Sequence, residues 1–203
     1  VHSETFRAMG CPMNVTFVGS DAGTFRRALT EIIAAAEAWE QQFSRFRIDS
    51  EVSLLNAQAG IGPISFSREV MTLVERAIAE SARSGGAFNP LVLKALRNAG
   101  YDRDFDDVRR RTTWPTSEAA AVPSLESITL DRRRQTISLA AGAGIDLSGI
   151  AKGAFIDLVG ERHAESCSGG CFSAGGDVRV WGEPPDGDVW TVGLEHPNWP
   201  ELD

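Results

Sequence analysis

Cysteine is scarce. The 203 residues hold three, Cys11, Cys167 and Cys171. An odd count does not read as a disulfide framework. Cys167-x-x-x-Cys171 has no second ligand pair at usable spacing, which favours small buried thiols beside a glycine turn over a zinc site. Histidine is as rare: His2, His163 and His196 are scattered, and none sits in a ligand or triad motif. Positive charge is short too. The formal net charge is −8, and the compact basic cluster Arg132-Arg133-Arg134 is set in a turn. That balance excludes a general nucleic-acid binder. No apolar run reaches the length needed to span a bilayer, and VHSETFRAMG has no charged-then-apolar signal segment. The dinucleotide fingerprint G-x-G-x-x-G, the Walker loop and internal repeats are all missing.

What is present is ordinary for a folded domain: 42% hydrophobic and 24% charged residues. The length fits one domain over 1–203. Two helices stand out. In 20–43, Phe25, Ala28, Leu29, Ile32, Ala36, Trp39 and Phe43 follow the helical period, with Asp21 or Thr24 as cap. In 67–84, Val70, Val74, Ala77, Ile78 and Ser81 share a face, and Gly85-Gly86 stops the helix. Residues 5–18 read as two strand pieces bent at Met9-Gly10, and 127–130 with 136–139 as a hairpin. Ser50 and Glu51 open a short helical turn, and 91–98 form another. Residues 101–123 read as a surface loop, and 171–181 and 189–194 as strands about the GEPPDGD turn. Phe46, between Arg45 and Arg47, is either half buried or a platform for a ring; base rate favours burial.

The chain is organised around 142–177. It reads as a strand end, a tight turn, a helix, a glycine-rich turn and a short strand. Asp146, Ser148, Gly149, Lys152 and Gly153 fall where an apolar strand hands over to the helix. A helix start offers free N–H groups and the positive end of the dipole, and Lys152 adds a full charge one turn in. That suits a phosphate or pyrophosphate. The plain alternative is a capped helix with an exposed lysine.

Six motifs then occur in one order: Phe6-Arg-Ala-Met9-Gly10, FSRFRIDSEVSLLN at 43–56, GGAFNP at 85–90, IDLSGIAKG at 145–153, GGD at 175–177 and VWTVGLEHP at 189–197. Together they resemble the ApbE family, the FAD:protein FMN transferases, over nearly the whole chain. The resemblance implies an α+β domain of the T-fold-like kind, with an antiparallel sheet and packed helices. It implies FAD as substrate, Mg²⁺ as metal, and transfer of FMN to a threonine hydroxyl of an acceptor flavoprotein, releasing AMP. A flavin-binding protein that does not cleave FAD is the alternative. The motifs align Met9, Phe46, Ala87, Phe88, Asn89, Asp146 and Lys152 with FAD-contacting positions, and Gly149 with a metal ligand through its carbonyl. No residue is assigned as catalytic. Cys11 replaces the threonine of the family's M-G-T, and Asn89 the aspartate of A-F-D. The family's later A-T-S-G and H-I-x-D-P-x-T-G segments do not occur in 1–203, so a C-terminally truncated domain with weak magnesium binding is expected. Relatives often work outside the cytoplasmic membrane as lipoproteins. That leaves the cytoplasm and the extracytoplasmic face of the bacterial inner membrane both open, with membrane association through the acceptor.

Overall fold

The structure, a computed structural model, describes residues 1–115 and 120–193. It begins with a hairpin, β1 (His2–Ala8) and β2 (Cys11–Val18). Met9 and Gly10 form its two-residue turn with φ of 51° and 71°. Positive φ at both positions is the hairpin geometry whose twist matches the flanking strands. Glycine adopts it freely, whereas Met9 adopts it at a cost of about 1–3 kcal/mol. Along β2, Met13, Val15 and Phe17 point inward and alternate with half-buried polar neighbours.

Helix α1 (Ala22–Phe43) is capped by Asp21, whose carboxylate accepts from the N–H groups of Gly23 and Thr24. Its buried stripe is Phe25, Ala28, Ile32, Ala36 and Phe43. Helix α2 (Glu51–Ala57) is capped by the Ser50 hydroxyl, which accepts from Ser53 N at 3.0 Å. A short strand, β3 (Ile64–Ser65), precedes α3 (Arg68–Arg83), which is capped by Ser67 and ends at Gly85 and Gly86, both at positive φ. Then come α4 (Leu93–Asn98), α5 (Phe105–Arg109), the hairpin β4 (Ile128–Asp131) and β5 (Thr136–Leu139), α6 (Ser148–His163), β6 (Gly169–Ala174) and β7 (Asp177–Gly182).

The strands make two antiparallel sheets, ordered β1-β2-β6-β7 and β3-β5-β4. One core lies between the first sheet and helices α1 and α6, where Phe155 and Phe172 meet edge-on with centroids 5.8 Å apart. The other gathers α2, α3 and the second sheet around Val74, Leu91 and Ile137. Helix α6 serves both: Phe155, Ile156 and Val159 face the first core and Ala151 the second. Trp39 packs against both and donates from Nε1 to the Ala151 carbonyl at 3.0 Å. A part-buried hydrogen bond of this kind is worth about 0.5–1.5 kcal/mol. It pins the first turns of α6 beside the turns of the first sheet.

The structure corrects several expectations. The segment before α6 is not a strand: residues 140–147 pair in no sheet, and Asn56 instead brackets Ile145, donating to its carbonyl and accepting from its N–H. The expected glycine turn at 169–170 lies inside β6. A Cβ on Gly170 would run into the Trp181 ring, and one on Gly169 into the Glu183 carbonyl. The turn falls later, at Gly175-Gly176, with φ of 58° and 102°, so 171–181 is a hairpin and not one strand. Residues 101–123 are not all loop, because Asp104 caps α5 and Val108 is buried beneath it. Residues 189–193 form no strand, and the rest of the expected 189–197 motif lies outside the described residues. Helices α1 and α4 each begin two residues later than expected. No described helix is long and apolar enough to cross a membrane.

Candidate functional site

The turns at Met9-Gly10 and Gly175-Gly176 emerge side by side at one end of the first sheet, since β2 pairs with β6. They face the N-terminal turns of α6. A Cβ on Gly175 would lie 3.0 Å from Cys11 Sγ and 3.2 Å from Lys152 Nζ, so the absence of a side chain there leaves room for both. Around this junction opens a cleft of about 910 Å³, within the size range of small-molecule sites. Met9, Phe46, Asp146, Gly149 and Lys152, each singled out from sequence, all line it. Loop 44–47 and the segment carrying Tyr101, Phe105 and Trp114 form its opposite wall.

Ala87, Phe88 and Asn89 do not line the cleft. Phe88 stands behind the first turn of α6. The Phe88 ring backs onto Gly149, where a Cβ would meet it at 3.2 Å. The Asn89 carboxamide oxygen accepts from Leu91 N at 2.9 Å, shaping the turn into α4, and Ala87 is exposed. In this chain the segment supports the helix from outside the cavity.

Phe46 also differs from expectation: it is 40% exposed, and the buried neighbour is Arg45, at 8%. An arginine is buried only with partners. Arg45 Nε lies 2.6 Å from Asp146 Oδ2, with both side chains sealed from solvent. Its guanidinium carbon sits 4.2 Å above the Phe46 ring centroid and 4.4 Å from that of Tyr101. Burial pulls the Arg45 guanidinium below the usual arginine value, and the Asp146 carboxylate opposes that shift. The other oxygen of Asp146, Oδ1, accepts from Ser148 N at 2.8 Å and from the Ser148 hydroxyl, so Asp146 closes the head of α6. Its carboxylate is therefore committed within the protein. Sequence reasoning missed Arg45 and Tyr101. The one available signal was the arginine directly before a candidate ring platform, in a chain with a single tyrosine.

Lys152, in the second turn of α6, is half buried and has no ion-pair partner among the described residues. Of the other cations lining the cleft, Arg7 pairs with Asp106 at 2.9 Å, Arg47 with Glu37 at 2.6 Å and Glu40 at 3.3 Å, and Arg109 lies 5.9 Å from the Phe105 ring centroid. Lys152 thus keeps its charge available to a ligand. Burial pushes the Cys11 thiol above its ordinary value against the pull of Lys152, so Cys11 stays protonated and unreactive near neutral pH.

The donor set does not suit a magnesium ion unaided. Among the described residues no group of three or more His, Cys, Asp or Glu could hold a metal. Mg²⁺ asks for six oxygens in octahedral array. Asp146 is occupied by Arg45 and Ser148, and Gly149 is the second residue of α6, with its carbonyl directed along the helix.

Fold and cleft together define a class: an α+β domain with paired sheet turns and a helix head enclosing an anion-receptive, aromatic-walled cavity. Solved structures of the same fold superpose on this chain. The flavin transferase ApbE from Vibrio cholerae matches with a TM-score of 0.76 at 24% identity, covering 97% of this chain and 64% of that one. The ApbE protein from Thermotoga maritima matches at 0.76 and 22%, covering 97% and 63%. The chain belongs to the ApbE family, whose model matches residues 9–203. Among curated relatives, the FAD:protein FMN transferase of Treponema pallidum is 31% identical over 194 residues, covering 87% of this chain and 52% of its own length. That of Haemophilus influenzae is 25% identical over 198 residues, covering 94% and 57%. The chain thus spans about half the length of the curated relatives it matches.

Proposed function

We propose that this chain binds FAD in the cleft and forms the flavin-holding part of an FAD:protein FMN transferase. The observation that carries this is the convergence of an exposed ring, Phe46, with an unmatched cation, Lys152, and a helix head across one cavity. The isoalloxazine ring stacks on Phe46, a contact worth about 0.5–1.5 kcal/mol beyond its buried area. The pyrophosphate meets Lys152 and the first N–H groups of α6. Holding the phosphoryl group in place is most of the protein's task in such a transfer. An acceptor hydroxyl oxygen attacks the phosphorus of the FMN half, and the bond to the bridging oxygen breaks. AMP leaves with that oxygen, and the hydroxyl proton passes to solvent. A threonine as acceptor, Mg²⁺ as metal and an acceptor at a membrane face belong to this proposal through the family resemblance. The described residues do not by themselves assemble a magnesium cage.

The test incubates the protein with FAD, MgCl₂ and a peptide bearing a D-[GS]-[AV]-[ST]-x-T motif. Mass spectrometry follows FMN on the peptide, and chromatography follows AMP. Transfer with matching AMP release is the expected result. FAD bound with no AMP released would instead favour the non-catalytic flavin-binding alternative, and no FAD bound would overturn both.

A further inference from the structure

We propose that Arg45 is a positioning residue of the flavin site, one that cancels the Asp146 charge at the head of α6. This rests on the flavin reading above. A helix start attracts an anion through its free N–H groups and dipole. Asp146 places a full negative charge there, with Oδ1 on Ser148 N at 2.8 Å, and so competes with any phosphate for the same field. Arg45 removes the conflict: its Nε lies 2.6 Å from Asp146 Oδ2, and both side chains are sealed from solvent. In a low-dielectric setting the pair acts as a near-neutral unit. Lys152 is then left facing the cavity with no ion-pair partner among the described residues.

The same guanidinium stacks on Phe46 at 4.2 Å and on Tyr101 at 4.4 Å. It therefore ties three separate segments together: loop 44–47, the Tyr101 segment and the helix head. It also fixes the Phe46 ring, which stays 40% exposed toward the cleft. Arg97 is the other charged group acting on the Arg45 guanidinium. One residue thus sets both the charge at the phosphate end and the platform at the ring end.

The test compares wild type, Arg45→Met, and Arg45→Met/Asp146→Asn. Methionine refills the space between the two rings, and circular dichroism melting checks that each variant folds. FAD and riboflavin are titrated by flavin fluorescence. Arg45→Met leaves Asp146 unpaired at the helix head. FAD affinity should then fall about 10-fold or more, or ~1.4 kcal/mol per decade. Riboflavin, which lacks phosphate, should change by less than about 3-fold, because its binding does not engage that charge and methionine keeps the Phe46 ring packed. The double variant removes the stranded carboxylate and should recover FAD affinity to within about 3-fold of wild type. If wild type binds FAD but the double variant is as weak as Arg45→Met, the charge-cancelling role is wrong and the flavin reading stands. If wild type binds no FAD, the flavin reading fails and the role of Arg45 fails with it.

Discussion

Lys152→Ala tests the anion half of the site. Lys152 lies in the second turn of α6, half buried, with its ammonium beside the Gly175 turn and no ion-pair partner among the described residues. Removing it breaks no internal pair, and alanine is the best helix former, so stability should hold. What is lost is one charge-assisted contact to a phosphate, roughly 1.5–3 kcal/mol. At ~1.4 kcal/mol per decade, FAD affinity should fall about 10-fold or more. The cleft is open to solvent, so part of the wild-type advantage should vanish in salt, where the screening length drops from about 10 Å at 0.1 M to about 3 Å at 1 M. Fluorescence titration at both salt concentrations, with riboflavin as the phosphate-free control, measures this. A folded Lys152→Ala protein with unchanged FAD affinity at low salt would refute the reasoning and leave an ordinary exposed helix lysine.

Three further outcomes follow from the packing. Gly169→Ala drives a Cβ into the Glu183 main chain, which has no side-chain freedom to yield; a loss of about 1–3 kcal/mol, read as a melting-temperature drop of about 2–4 °C per kcal/mol, is expected. His163 is buried, and burial holds its pKa below the ordinary histidine value, with Glu31 opposing and Arg162 reinforcing the shift. The folded state thus favours the neutral ring, so stability is full above that ordinary value and declines as pH falls below it toward the folded value. Urea midpoints at pH 7.5 and 5.5 should show the decline in wild type and a flatter profile in His163→Gln; equal slopes would contradict it. Trp39→Phe removes the bond to Ala151 and should cost about 1 kcal/mol in a urea melt.

The long elements were legible because they announce themselves. Helices α1 and α3 carry a clear apolar stripe and side-chain caps, and the β4–β5 hairpin brackets a charged turn. Helix α5 was not legible: its five residues depend on one cap and one buried valine, which no periodicity reveals. The β6–β7 hairpin was misplaced because two glycine pairs compete for the turn. Only tertiary contact with Trp181 and Glu183 assigns Gly169-Gly170 to the strand. At the site, Met9, Phe46, Asp146, Gly149 and Lys152 do meet in one cleft. The exchange of burial between Phe46 and Arg45 was hidden, since residue-type averages send phenylalanine inward and arginine outward. It takes Asp146, a hundred residues away in sequence, to reverse that preference. That residues 87–89 lie outside the cleft lining, with Phe88 behind α6, was equally invisible, because adjacency to a cavity wall is a property of the folded chain.

The proposed function rests on this cleft taking a flavin dinucleotide. Titration calorimetry with FAD and then NAD, on wild type and on Phe46→Ala, tests it most directly. The two ligands share a pyrophosphate and an adenosine, and they differ in the ring that meets Phe46. Tighter FAD than NAD binding is expected, with Phe46→Ala losing affinity for FAD and narrowing the difference between them. NAD binding as tight as FAD, or FAD binding untouched by Phe46→Ala, would contradict it.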